Sequence, residues 1–119
     1  MKLDKKNLIP FDKFMADMLY NPKKGYYMKS NPFGKNGDFI TSPNISLMFS
    51  EMIALWCISF LKRNIKQEKV NIIELGAGNG EMIFQIIKVF KKLNMKANFF
   101  IVEKSDNLIK LQKKKIIFL

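Results

Sequence analysis

The chain has 119 residues, of which 21 are basic, 10 acidic, none His and one Cys, and 48% of the chain is hydrophobic. That length makes one domain able to bury roughly 65% of its unfolded surface, and the apolar fraction is too high for disorder. The lone Cys57 excludes a disulfide framework and a Cys-rich metal site, and the missing His excludes Ser-His-Asp or Cys-His hydrolysis; no metal site is expected. The net charge of +11 would suit an anionic partner, yet Arg63 is the only Arg and the Lys are scattered, so the charge reads as composition. No specific nucleic acid is expected as a partner.

Met1 to Asn7 is polar and carries Asp4, so it resembles neither a secretory signal nor an Arg-rich mitochondrial presequence. The location expected is cytoplasmic, as in bacteria, or the mitochondrial matrix if the source is eukaryotic. Pro10 to Tyr20 spaces Phe11, Phe14, Met15, Met18 and Leu19 as one face of a short helix, and Asn21-Pro22 ends it. Lys23 to Thr41 is rich in turn formers. Gly25 to Met28 and Asp38 to Thr41 read as short extended pieces of a loop or irregular hairpin.

Ser42 as cap and Pro43 in the first turn open a helix expected to run to Arg63. It is apolar on most faces, so part of it expects a partner surface. Its apolar run, Met52 to Leu61, is far short of the ~20 residues that span a bilayer. Asn64 to Lys69 is a linker, Val70 to Leu75 a strand, Gly76 to Gly80 a glycine-rich turn, and Glu81 to Leu93 an amphipathic helix. Asn98 to Glu103 is a second strand, Ser105 caps a last helix, and Ile116 to Leu119 reads as the start of a third strand. This order is one β-α-β unit with parallel strands.

The segment Glu74-Leu-Gly76-Ala-Gly78-Asn-Gly80 carries the chemistry. Glycines there let the backbone pass close to a ligand and aim the next helix's amides at a negative group. Glu103 ends the second strand 23 residues after Gly80 (103 − 80), where a carboxylate can accept both ribose hydroxyls of an adenosine. A dinucleotide site would put its third glycine one residue later, and an ordinary tight turn needs no acids. Glu-x-Gly-x-Gly-x-Gly is instead the pattern of class I methyltransferases that use S-adenosyl-L-methionine, in which the strand-end acid helps place the methionine part.

Four stretches sharpen this reading: Phe11 to Met15 with Leu19 to Pro22; Gly25-Tyr26-Tyr27; Gly37 to Pro43 with Ile45-Ser46; and Glu74 to Gly80 with Val102 to Ser105. In this order they resemble the N-terminal portion of the MidA-like methyltransferase family, which includes the mitochondrial complex I assembly methyltransferase. The resemblance runs from about Ile9 to Gln112. It implies a class I fold, S-adenosyl-L-methionine as cofactor, and a protein substrate. In the mitochondrial member that substrate is an Arg of a core subunit of respiratory complex I. By position, Glu74, Gly76, Gly78, Gly80 and Glu103 would bind cofactor. Asp38, Thr41, Ser42 and Pro43 would belong to a segment folding over the site, with Asp38 as the local candidate for a catalytic acid. Asn44, Ser50, Ala77 and Asn79 depart from the family's common residues.

The fold class expected is α/β: an incomplete Rossmann-like class I methyltransferase fold behind a mostly helical N-terminal segment. Residues 1–66 would cover the site and residues 67–119 would bind the cofactor. The chain reads as truncated, so a non-catalytic remnant that binds cofactor weakly is the first alternative and a basic nucleic-acid-binding module the second. Cys57, Trp56 and the eight Met read as core or interface residues, and Tyr26-Tyr27 as loop packing or a stacking surface.

Overall fold

A computed structural model of the chain describes residues 8–29, 32–34, 36–65 and 70–117. The polar stretch from Met1 to Asn7, most of the expected linker (66–69) and the end of the expected third strand (118–119) lie outside them.

Helix α1 (Phe11–Tyr20) forms as its spacing predicts, although none of its residues is buried. The turn after it is closed by Asn21, whose Oδ1 accepts from the amides of Lys23 (2.9 Å) and Lys24 (3.2 Å). Tyr26–Lys29 is a single helical turn, α2, and not the extended piece expected. The reason is tertiary. The Tyr27 ring sits 5.8 Å from Tyr20 and 5.2 Å from Tyr26, which folds the segment back on α1. Pro32 and Gly34 are drawn to Phe39 by Phe39 N–H to Pro32 C=O (2.8 Å) and Gly34 N–H to Phe39 C=O (3.0 Å).

The helix expected from Ser42 to Arg63 is two helices. Helix α3 (Ser42–Ile45) stops at Ser46, whose backbone is extended (φ −144°, ψ 126°), and α4 (Leu47–Asn64) starts beyond it. Serine competes with the helix through its own side chain and favours such boundaries. Ser42 is not the cap either. Thr41 holds that position, and its Oγ1 accepts from the Asn44 side chain (2.7 Å). Pro43 does lie in the first turn.

Strands β1 (Asn71–Leu75) and β2 (Asn98–Val102) pair in parallel, with Ile72 opposite Phe99 and Leu75 opposite Val102. Helix α5 (Glu81–Lys92) crosses over between them. Its buried stripe, Ile86 and Phe90, meets Ala54, Ile58 and Leu61 of α4. Ala54 is fully buried; its small side chain lets the two helices approach closely. Phe90 completes the core against Phe99 of the sheet, edge to face at 5.3 Å. Alternate strand residues Ile73, Leu75, Phe100 and Val102 are exposed on the other face, as are Met48, Met52, Leu55 and Trp56 on α4.

Helix α6 (Asp106–Ile116) starts at Ser105, which caps it as expected by accepting from Leu108 N–H (3.4 Å). Ile116 is its last residue, not the first of a strand. Leu108 and Gln112 on the buried side hold the helix against the body of the protein through that point. No described helix is long and apolar enough to cross a membrane.

Phe90 joins α4, α5 and the sheet, so Phe90→Ala is expected to cost about 3–5 kcal/mol of stability. Urea denaturation monitored by circular dichroism measures it. A loss under 1 kcal/mol would contradict the packing described.

Candidate functional site

The site lies at the carboxyl end of the parallel strands, where open α/β sheets bind ligands. Gly76 N–H still pairs with Val102 C=O (2.8 Å), and the chain then turns into α5. Gly76, Gly78 and Gly80 take φ of 66°, 54° and 75°, a left-handed region that side chains disfavour. At Gly78 space is short as well: a Cβ would lie 3.2 Å from the Phe33 ring. Gly80 is the residue that caps α5, and a Cβ there would meet the Gln112 side chain at 3.2 Å.

The turn opens on a cavity of about 160 Å³. Glu74, Gly76, Ala77, Gly78 and Asn79 form its floor, with Glu81 and Met82 from the first turn of α5. Phe33, Thr41, Pro43 and Asn44 close it from the N-terminal segment. The two halves are tied by a hydrogen bond from Asn79 Nδ2 to Asn44 Oδ1 (2.8 Å). Whole small-molecule sites occupy about 300–1,000 Å³, so this cavity is smaller than a whole cofactor site. A larger cleft of about 640 Å³ lies where α5 runs into β2. Its walls are mainly apolar (Ile87, Phe90, Met95, Phe99), with no carboxylate among them, so the smaller cavity is the chemical one.

Glu74 is the unusual residue of the cavity. Its Oε2 is buried without a hydrogen-bond partner among the described residues. Burial raises its pKa above the ordinary value, and the backbone amide of Ile83 only partly opposes this. Such an oxygen is costly unless a donor or cation meets it. Glu81, also in the cavity wall, differs. Burial opposes its ionisation too, but Lys115 (2.5 Å) and Gln85 (3.0 Å) outweigh it and hold its carboxyl below the usual range.

Glu103 falls one residue past the end of β2 and outside the cavity lining. Its Oε1 accepts from the amides of Lys104 (2.8 Å) and Ser105 (3.0 Å). Its Oε2 meets Gln112 Nε2 at 3.4 Å, and the same nitrogen donates to Gly78 C=O at 2.8 Å. Glu103 and the glycine turn are therefore joined through one buried amide. Thr41 and Pro43 line the cavity, whereas Ser42 and Asp38 are exposed and stand outside the lining. Asp38 instead accepts a hydrogen bond from the Tyr26 hydroxyl, which pushes the Tyr26 pKa up to about 12.

Sequence reasoning passed over Phe33, Asn44, Asn79 and Gln112 as site residues. Gln112 had a signal: it follows Leu108 by four on the apolar side of α6, where a polar residue needs a partner. Phe33 had none, because only the tertiary fold brings it to Gly78. Among the described residues no cluster of three or more Cys, Asp or Glu could hold a metal ion.

The Glu74 shift has a definite sign. A carboxyl whose folded pKa is raised withdraws stability as pH rises above its unfolded value of 4.5 and through the folded one. Glu74→Gln is therefore expected to melt higher than the wild type at pH 7, with the difference shrinking below pH 4.5. Thermal melts across this range check it, and a destabilised variant at pH 7 would contradict it.

Comparison with known proteins places this geometry in a family. Residues 52–117 match a family model of S-adenosyl-L-methionine-dependent methyltransferases. The protein arginine methyltransferase NDUFAF7 homolog, mitochondrial, of Drosophila melanogaster is 37% identical over 112 residues, covering 92% of this chain and 26% of that protein. The mitochondrial protein arginine methyltransferase NDUFAF7 of Homo sapiens is 38% identical over 104 residues, covering 83% of this chain and 24% of that protein. A crystal structure from Burkholderia thailandensis, bound to S-adenosyl-homocysteine, superposes with a TM-score of 0.77 at 27% identity, covering 91% of this chain and 29% of that one. The chain spans about a quarter of the length of the curated relatives it matches. Its glycine turn, its parallel β-α-β unit and these matches agree: the chain belongs to the family of S-adenosyl-L-methionine-dependent methyltransferases.

Proposed function

We propose that this chain holds S-adenosyl-L-methionine at the end of β1 and contributes the cofactor site of a protein arginine methyltransferase. The observation that carries the reading is the buried, unpartnered Oε2 of Glu74 beside three left-handed glycines. The cofactor's methionine end offers the ammonium that such an oxygen needs and a carboxylate for the amides at the start of α5. Gly76, where a Cβ would meet nothing within 4 Å, offers bare backbone to a ligand, while Gly78 and Gly80 let Phe33 and Gln112 pack on the turn. Glu103 is assigned to the ribose, since its Oε2 is met only by the long contact to Gln112.

When bound, the cofactor supplies an already activated methyl group, so the protein's task is alignment and exclusion of water. We assign the N-terminal segment (1–66) the role of cover and residues 67–119 that of cradle; Thr41 and Pro43 line the cavity, and Ser42 lies between them on the exposed side. The substrate inferred is an Arg side chain on a protein, specifically a core subunit of respiratory complex I. A guanidinium with pKa above about 12 needs carboxylates to orient it and help remove its proton. Asp38, exposed and already engaged with Tyr26, is the acid assigned to that side of the site. The relatives carry mitochondrial names, which favours the matrix; nothing among them supports the cytoplasmic expectation.

Calorimetric titration with S-adenosyl-L-methionine tests the site. The wild type is expected to bind. Gly78→Val should lose roughly a hundredfold in affinity, because it combines backbone strain with a clash at Phe33. Circular dichroism confirms that the variant is folded. Equal affinities in the two proteins would overturn the assignment.

A further inference from the structure

The segment that leads into the cavity's cover is bare of positive charge. The chain holds 21 basic residues, yet none falls between Asn36 and Leu61. Within that span Asp38 is exposed, beside Phe39 and Ile40, which are 46% and 60% exposed. Exposed apolar side chains around one carboxylate, with no cation in the same segment to neutralise it, suit a cationic partner.

Asp38 is held in place. Its Oδ2 accepts from the Tyr26 hydroxyl, which leaves the rest of the carboxylate's acceptor capacity to a second donor. The Tyr26 ring packs at a steep angle on Phe39 (5.9 Å, 71°) and on Tyr27 (5.2 Å, 83°). Tyr27 is pinned in turn. The buried Ser105 hydroxyl donates to its carbonyl (2.5 Å), and the Asn107 side chain donates to the carbonyl of Met28. Asp38 pushes the Tyr26 pKa up to about 12, so the hydroxyl keeps its proton and stays a donor at neutral pH. On its other side Phe39 lies 6.2 Å from Phe33, which lines the cofactor cavity. Thr41, farther along the same segment, lines it too. The acid and the exposed ring therefore stand one ring away from the cavity, on an ordered support.

We propose that Asp38 and Phe39 form a subsite for a guanidinium of the protein substrate, with Tyr26 as the residue that orients the carboxylate. The inference deepens the arginine reading above and rests on it. A guanidinium is planar and always charged. Its donors form a fork that matches a carboxylate, and its face stacks on an aromatic ring. A Lys ammonium is a compact, strongly hydrated charge, and it gains less from an oriented carboxylate beside a ring. Tyr26 fixes the direction in which the carboxylate meets the fork. Without its hydroxyl the charge remains and the set geometry is lost.

The test is a titration of the chain, with and without S-adenosyl-L-methionine, by acetyl-Gly-Arg-Gly-amide and by the same peptide carrying Lys or citrulline, the neutral isostere of Arg. Binding is read by NMR at the Asp38 carboxyl and the Phe39 ring. The Arg peptide is expected to bind at both groups, roughly 3- to 10-fold tighter than the Lys peptide, with the citrulline peptide weakest. Asp38→Asn and Phe39→Leu should each weaken the Arg peptide roughly 2- to 10-fold. Tyr26→Phe removes only the hydroxyl and should lower the Arg-to-Lys ratio, which a purely structural role would not move; circular dichroism confirms its fold. Absent binding, equal affinity for the three peptides, or an Arg preference that survives in both Asp38→Asn and Phe39→Leu would overturn the proposal, while calorimetric binding of S-adenosyl-L-methionine would leave the cofactor site standing. Selective Arg binding by a chain that binds no cofactor would support the subsite and overturn the cofactor reading.

Discussion

The packing of α4 on α5 around Ala54 and Phe90 carries the rest of the structure. It sets α5 against the sheet, and α5 in turn fixes where the glycine turn ends and which way its first amides point. It also brings the N-terminal segment into reach of the turn, because α3 leads directly into α4. Thr41, Pro43 and Asn44 line the cavity for this reason, and Asn44 is also tied to the turn through Asn79. A domain of this size has few kcal/mol to spare, and its cluster of buried apolar side chains sits at this contact.

Against that frame the site works at cross purposes with stability. Three glycines of the turn sit at positive φ, and Glu74 holds a buried carboxylate oxygen without a partner among the described residues. Neither feature helps the chain fold. Both suit a ligand that approaches the backbone and brings its own positive charge, and functional sites are where such local costs collect. Glu81, the neighbouring acid, shows the contrast. Lys115 and Gln85 neutralise and satisfy it, so it stabilises the start of α5, whereas the Glu74 Oε2 has no partner among the described residues.

What was legible in the sequence was local. The glycine spacing, the strand-helix-strand order and the Ser105 cap rest on backbone conformation within a few residues, and all appear where expected. The elements that differed depend on distant contacts. Residues Tyr26 to Lys29 coil because Tyr27 packs on Tyr20 and Phe33. The long helix breaks at Ser46, and the short α3 before it carries Asn44, which meets Asn79 35 residues away. Phe33 and Gln112 meet the glycine turn from segments distant in the chain. Glu103 was expected to end β2 and lies one residue beyond it, and its link to Gly78 through Gln112 was not readable.

The central claim is that Glu74 is kept ready for a cationic ligand. The most direct measurement is a carbon-13 NMR titration of the Glu74 carboxyl, with and without S-adenosyl-L-methionine and assigned with Glu74→Gln. The account predicts titration above the ordinary 4.5 in the free protein and a downward shift when the ligand is added. A carboxyl that titrates at the ordinary value and ignores the ligand would contradict it.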